Sequence, residues 1–88
     1  MVDMLVGNKP IRKYLLYALT IPNMNELTLK ARGRSITKAV DLAEILKRKL
    51  PELVVKDVVI DTAVIKDKKT QKELRVSTME ITLVKKNA

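Results

Sequence analysis

Cysteine and histidine are both absent from the 88-residue chain. Without cysteine the chain forms no disulfides or thiolate metal sites, and an intracellular location is the simpler expectation. Without histidine it lacks the commonest general base and the commonest metal ligand. We therefore expect neither a metal nor a cofactor.

Long apolar runs and glycine-rich motifs are also missing. No run approaches the roughly 20 residues needed to span a bilayer, and the N-terminus lacks the segments of a signal peptide. With only Gly7 and Gly33, the chain contains neither a G-x-G-x-x-G nor a P-loop fingerprint. Ser35 and Ser77 have no histidine to activate them. We expect a cytoplasmic protein that is not an enzyme and has no membrane partner or small-molecule substrate.

Positive charge is what the chain has in excess. Lysine plus arginine outnumber aspartate plus glutamate by 18 to 10, a net charge of +8. Adaptation to high temperature also enriches lysine, but it raises glutamate as well and leaves the charges roughly balanced. An excess of one sign therefore favours a negatively charged partner. The hydrophobic content of 47% is typical of one globular domain, residues 1–88.

The first half of the chain alternates between strand and helix patterns. The apolar run 4–6 predicts a first strand. Apolar residues at helical spacing predict a first helix, which begins near Pro10 and ends before Pro22. Asn23 and Asn25 mark the loop that follows.

A second strand and a second helix follow this loop. Alternation from Glu26 to Arg32 predicts a half-buried strand. Ser35 is the predicted N-cap of the helix, and Pro51 ends it. On the predicted solvent-exposed face of this helix, Glu44 and Arg48 have the i, i+4 spacing of a favourable ion pair. The predicted apolar stripe comprises Ile36, Ala39, Val40, Ala43, Leu46 and Leu50.

Two long runs rich in β-branched residues, 54–65 and 74–84, end the chain. The charged segment 66–73 joins them, which predicts a projecting β-hairpin. The order β-α-β-α-β-β predicts a two-layer α+β sandwich with both helices on one face of the sheet. The third strand is apolar on both faces, which either a homodimer contact or a core wrapped around a twisted strand would explain.

The strongest functional signal lies between the second strand and the second helix. Arg32 and Arg34 flank Gly33, where a glycine permits a sharp turn and close approach to a partner. Unpaired N–H groups at the start of the helix favour an anion, and the two guanidinium forks suit phosphate. The pattern predicts a loop that binds a polyanion, with nucleic acid as the expected ligand.

Basic residues form three clusters suited to phosphate contacts. The first lies at the start of the first helix, where the helix dipole opposes cations unless an anion fills the site. The second surrounds the glycine of the arginine loop. The third lies on the hairpin, where a basic ribbon fits a duplex groove, although solvation of a loop or protection of a sheet edge would also explain its lysines. The clusters comprise Lys9, Arg12 and Lys13; Arg32, Arg34 and Lys38; and Lys66, Lys68, Lys69, Lys72 and Arg75.

Aromatic residues make up 2% of the chain, and the only two, Tyr14 and Tyr17, fall within the first helix. The spacing predicts that Tyr14 packs in the core and that Tyr17 is partly exposed. Proteins that bind single strands by stacking present aromatics on an exposed sheet. Affinity should instead come from phosphates, with weak sequence preference and a steep salt dependence.

Three segments, 7–10, 30–41 and 75–81, resemble the Alba family of small archaeal chromatin proteins. The resemblance runs in order from about Leu5 to Lys86. It implies a fold similar to the C-terminal domain of a bacterial translation initiation factor, with a protruding β-hairpin. It also implies a chromosome-associated homodimer that coats and compacts double-stranded DNA with little sequence preference and also binds RNA.

In that family the body of the dimer meets the DNA backbone and the two hairpins reach along the minor groove. Carried onto this chain, the body contacts are Lys9, Arg32 and Arg34, and the arm is 66–75. Where the family often has Gly-Lys-Lys-Pro, this chain has Asn8. In the family, that lysine is associated with control by acetylation, which we do not expect here. Asn8 carries no charge but can donate a hydrogen bond to phosphate, so it is also a candidate ligand.

The second departure lies at the end of the second helix, where some members of the family carry an aromatic residue. That residue helps dimers to pack side by side on DNA. This chain has Lys49 and Leu50 instead. We expect packing between dimers to be weaker or built differently.

Two alternative functions fit the same sequence. One is binding of structured RNA by shape and phosphate contacts, as in ribonuclease P subunits of the same superfamily. The other is an assembly module whose basic face docks on an acidic protein, which the doubly apolar third strand supports. Competition between matched RNA and DNA duplexes separates the nucleic-acid functions, and survival of the complex after nuclease treatment would favour the module.

Overall fold

Six elements follow one another in the predicted order, in a computed structural model that describes residues 2–22 and 24–86. Asn23, which the pattern places in a loop, lies outside the described residues. The helices and strands confirm the α+β class. They are β1 (Val2–Leu5), α1 (Ile11–Leu19), β2 (Glu26–Arg32), α2 (Ser35–Lys49), β3 (Leu53–Lys66) and β4 (Glu73–Lys85).

The four strands form one mixed sheet in the order β1-β2-β4-β3. β1 runs parallel to β2, with Leu5 opposite Lys30, whereas β4 pairs antiparallel with both β2 and β3. β1 and β3 are therefore the two edge strands. Because β1 and β2 are parallel and α1 connects them, the C-terminal ends of both strands lie at the same end of the sheet.

The core lies between one face of the sheet and α2, and α1 packs beside α2. Its largest fully buried side chains are leucines of β2, α2 and β4, and each stabilises the fold by about 1.5–3 kcal/mol relative to an exposed position. The opposite face of the sheet is polar. There the Thr28 and Thr82 hydroxyls lie 3.1 Å apart, and ion pairs join Lys30 to Asp3 and Lys56 to Glu26. The buried leucines are Leu27, Leu29, Leu42, Leu46 and Leu83.

The start of α2 differs from its prediction. Ser35 is already the first helical residue, Arg34 occupies the N-cap position, and no side chain caps the helix. The prediction of Ser35 as the N-cap is therefore wrong. Gly33 explains the difference, because its turn brings the Ile36 N–H within 3.2 Å of the Gly33 carbonyl and closes the first turn with backbone alone.

Two further details of α2 are corrected. Val40, which the pattern places in the apolar stripe, is 40% exposed, whereas Leu42 is fully buried. The helix turns Ala39, Leu42, Ala43 and Leu46 toward the core, an i, i+3, i+4, i+7 set that leaves Val40 at its margin. Glu44 pairs with Lys47, with 3.3 Å between Oε1 and Nζ, and not with Arg48.

The hairpin of β3 and β4 gives the molecule its long axis, with extents of 48 × 23 × 19 Å. The two strands pair from Leu53 opposite Lys85 to Lys66 opposite Glu73, with a register shift between Val55 and Asp57. All residues from 56 to 62 are exposed in β3. The explanation that a core wraps the third strand is therefore wrong for the single chain.

We expect Gly33→Ala to lower the free energy of unfolding by about 1–2 kcal/mol, because Gly33 has a φ of 57° that L residues adopt only with strain. A Cβ there would also lie 3.4 Å from Val76 Cγ1. Urea denaturation measures the change. Gly7→Ala is the matched control, since its Cβ would make an ordinary 3.5 Å contact with the Tyr14 hydroxyl. Equal losses from both variants would contradict the strain at Gly33.

Candidate nucleic-acid interface

A groove of about 830 Å³ opens at the end of the sheet that holds the C-terminal ends of β1 and β2. β1 leads into the loop at 7–10, and β2 leads into the arginine loop at 32–34. The Val6 N–H donates to the Lys30 carbonyl at 2.8 Å, which extends the pairing up to the groove. Parallel pairing thus brings together two basic segments that are far apart in sequence. Four predicted ligands line the groove: Asn8, Lys9, Arg32 and Arg34.

The groove also contains residues that sequence reasoning did not select. Lys30 lines it and pairs with Asp3 at 3.2 Å, and its place on the same strand face as Arg32 was a usable signal. Glu80 adds a carboxylate, which lies opposite Lys30 only because β4 pairs with β2. Leu5 lies at the groove with 77% of its surface exposed. These residues make the groove mixed in character, with basic loops at its ends.

A backbone hydrogen bond to β4 holds the arginine loop in place. The Gly33 N–H donates to the Ser77 carbonyl of β4 at 2.9 Å. Arg32 and Arg34 are both exposed. The first turn of α2 contains no acidic residue, and no side chain caps it. The Ile36 N–H already donates to the Gly33 carbonyl, but the positive end of the helix dipole still favours an anion next to Arg34.

The loop at Gly7–Lys9 is held from two directions by side chains. The Tyr14 hydroxyl accepts from the Gly7 N–H at 2.8 Å and from the Lys9 N–H at 3.3 Å. The Lys38 ammonium donates to the Gly7 carbonyl at 2.9 Å and to the Lys9 carbonyl at 2.7 Å. Tyr14 packs against the core as predicted, but its hydroxyl also shapes the loop, and no local pattern signals that.

Two more predicted ligands, Arg12 and Lys13, lie on α1 just after this loop. Both are exposed, and neither lines the groove. The first turn of α1 carries no acidic residue. Tyr17 lies on the same helix with 55% of its surface exposed, as the spacing predicted. The cations of α1 therefore extend the basic surface beyond the groove.

The hairpin tip is an ordered turn built around Asp67. Its Oδ1 accepts from the Lys69 N–H at 2.8 Å and from the Thr70 N–H at 3.4 Å. The Asp67 N–H donates to the Lys72 carbonyl at 2.9 Å, and Gln71 turns the chain with a φ of 60°. The predicted hairpin ligands, which lie outside the groove, are all exposed: Lys66, Lys68, Lys69, Lys72 and Arg75.

A few basic residues form ion pairs, and none of the predicted ligands is among them in the described part of the chain. Over residues 2–22 and 24–86, carboxylates within 4 Å pair with Lys30, Lys47 and Lys56, and with none of the predicted ligands. An exposed pair contributes little to stability, but it does offset local potential. The basic side chains of the loops, of the start of α1 and of the hairpin thus lack a direct carboxylate partner among the described residues.

The described residues also bear on metal binding and on membrane insertion. No group of three or more acidic side chains lies in an arrangement that could hold a metal ion within this part of the chain. Neither α1 nor α2 is long and apolar enough to cross a membrane.

Comparison with known proteins matches the chain to one family. The Alba family model matches residues 2–62. The "DNA/RNA-binding protein Alba 1" of Archaeoglobus fulgidus is 49% identical over 84 residues, which cover 92% of this chain and 92% of that protein. The "DNA/RNA-binding protein Alba" of Nanoarchaeum equitans is 37% identical over 90 residues, covering 98% of this chain and 100% of that protein.

Solved structures confirm the α+β fold that the resemblance implied. Alba from Thermoplasma volcanium superposes with a TM-score of 0.86 and 36% identity, over 94% of this chain and 99% of that one. ALBA1 from Trypanosoma brucei has a TM-score of 0.70 and 22% identity, over 94% of this chain and 68% of that one. The latter is a likeness of fold alone.

We expect Tyr14→Phe to lower the free energy of unfolding by about 1 kcal/mol, because it keeps the ring and leaves the Gly7 and Lys9 N–H groups without their acceptor. Chemical denaturation measures the loss, and amide hydrogen exchange at Gly7 should become faster. Tyr17→Phe is the control, since the Tyr17 hydroxyl makes no hydrogen bond within the described residues. Unchanged exchange at Gly7 would argue against a role for the Tyr14 hydroxyl.

Proposed function

The chain belongs to the Alba family, and we propose that it is a chromosome-associated protein that coats and compacts double-stranded DNA. In this proposal it acts as a homodimer with little sequence preference, and it also binds RNA. Phosphate contacts at the groove position the protein, and the hairpins reach along the minor groove. The relatives from Archaeoglobus fulgidus and Nanoarchaeum equitans, both named as DNA/RNA-binding, support the ligand class.

The observation that carries the proposal is the convergence of Lys9, Arg32 and Arg34 on one groove, without carboxylate partners among the described residues. Each arginine presents a planar fork that binds two phosphate oxygens at once, whereas Lys9 contributes a point charge. Asn8 adds a hydrogen-bond donor without charge. Neutralised phosphates release their counterions, which drives binding irrespective of sequence.

The hairpin suits a second set of contacts farther along the duplex. Its arm, residues 66–75, carries five cations against the two carboxylates of Asp67 and Glu73. Its tip is ordered by Asp67, so a bound duplex need not order it first. No aromatic residue lies on the hairpin or on the sheet. Base stacking therefore contributes little, which favours duplexes over single strands.

A homodimer would explain the apolar side chains that β3 leaves uncovered. Val58, Ile60 and Val64 are 49%, 72% and 59% exposed. Val58 and Ile60 lie opposite Ile81 and Met79 of β4. They therefore belong to the core face of the sheet, on the outer strand β3, where the helices leave them exposed. A second copy covering this strip would remove it from water and place two grooves on one particle.

Arg32→Ala and Arg34→Ala should each weaken binding to unrelated DNA duplexes to the same extent. The slope of log affinity against log salt should fall by about one unit per lost contact, which is about two per homodimer. Fluorescence anisotropy over a salt series measures both quantities. Lys56→Ala is the control, because it removes one positive charge from a side chain that lies outside the groove and already pairs with Glu26.

Other outcomes of this salt series point elsewhere. A variant that changes sequence preference at an unchanged slope would count against phosphate contacts by the arginines. Much tighter binding of a matched RNA duplex would indicate a ribonucleoprotein component instead. Failure to bind either duplex at low salt would remove both nucleic-acid functions and leave the basic surface to an acidic protein.

Ile60→Asp should raise the dissociation constant of the homodimer by about a hundredfold or more, because burying an unpaired carboxylate costs about 3 kcal/mol or more. Sedimentation equilibrium without nucleic acid measures it. The single chain should still fold, since Ile60 is 72% exposed in it. Leu5→Asp, at a site 77% exposed on the other edge strand, should leave the dimer intact. A monomeric wild type would refute the dimer outright.

A further inference from the structure

We infer that Lys38 is a positioning residue, which locks the Gly7–Lys9 loop in the form that receives phosphate. This inference rests on the proposed function and deepens it. Lys38 is one of the cations that the sequence suggests as phosphate ligands. Its ammonium, however, is committed to the loop by bonds of 2.9 and 2.7 Å to the carbonyls of Gly7 and Lys9.

The backbone of the loop is already fully engaged at these two residues. Their carbonyls accept from Lys38, and their N–H groups donate to the Tyr14 hydroxyl. Backbone groups used in this way are not free to bind phosphate. At Lys9 the loop therefore presents its side chain and not its backbone, and the side chains of Asn8 and Lys9 are both exposed.

An ammonium is well suited to this task. It is a compact point charge with several donors, so one group can bond to two converging carbonyls. Without it, the carbonyls of Gly7 and Lys9 would face each other with no shared donor. A loop that is ordered before binding does not lose conformational freedom when the ligand arrives. Lys38 thus raises affinity through Lys9 without contacting the ligand itself.

The same interaction couples the two halves of the groove. Lys38 lies in the first turns of α2, the helix that begins directly after Arg34. The helix therefore sets the arginine loop at its N-terminus and holds the other loop through Lys38. This contact fixes the spacing between Lys9 and Arg34, which a row of phosphates along a duplex requires.

The test is a double-mutant cycle on DNA binding, with Lys38→Met, Lys9→Ala and both together, on one mixed-sequence DNA duplex. Lys38→Met should lower affinity by about as much as Lys9→Ala. The double variant should bind within about twofold of the weaker single variant, because both changes remove the same contact. Lys47→Met, on the same helix, corrects for the loss of one charge.

A second measurement uses the free protein and does not depend on DNA. Amide hydrogen exchange at Gly7 should speed up by about tenfold or more in Lys38→Met, because the loop opens when charge-assisted bonds are lost. Lys47→Met should leave this exchange unchanged. An unchanged rate at Gly7 in Lys38→Met would overturn the inference, even if affinity falls.

The remaining outcomes separate the inference from the proposed function. Additive losses in the cycle would make Lys38 a direct phosphate ligand and overturn its positioning role. If Lys9→Ala has no effect on DNA affinity while Lys38→Met still speeds exchange at Gly7, the loop is not a phosphate site. In that case the proposed contact between Lys9 and phosphate is wrong, although Lys38 still holds the loop in place.

Discussion

β1 and β2 run parallel and side by side, so the C-terminal ends of both strands lie at the same end of the sheet. The interface depends on this pairing. The loop after β1 supplies Lys9, and the loop after β2 supplies Arg32 and Arg34. An antiparallel pair would place the two loops at opposite ends of the sheet. The short crossover through α1 therefore decides where the positive charge collects.

The basic side chains of the molecule differ in whether a carboxylate lies beside them. On the polar sheet face, which reaches the groove at Lys30, both Lys30 and Lys56 have carboxylate partners that offset their charge. At the loops and the hairpin, the basic side chains have no carboxylate within 4 Å among the described residues. The loops and the hairpin thus carry much of the unpaired positive charge behind the net charge of +8. In the proposed function, this charge would attract a long polyanion that meets both the groove and the hairpin.

The hairpin extends away from the body of the molecule, and its apolar side chains there are not buried. Beyond the pair of Arg32 and Thr78, the strands β3 and β4 have only each other as neighbouring strands, and the side chain of Val64 remains exposed. Isolated two-stranded ribbons are marginally stable in water, so their base needs support. The body supplies it where β4 pairs with β2. In the proposed homodimer, a second copy would cover the strip on β3 as well, so the feature that extends the hairpin also favours assembly.

Local patterns in the sequence determined the order of the elements, the arginine loop around Gly33 and the basic hairpin. Periodicity, helix-ending prolines and the freedom of glycine at positive φ act over a few residues, so they can be read without the fold. Tertiary structure alone decided that the Tyr14 hydroxyl and the Lys38 ammonium hold one loop, that Glu80 enters the groove and that residues 56–62 are uncovered. Each of these depends on strand register or on helix placement, which join residues far apart in sequence.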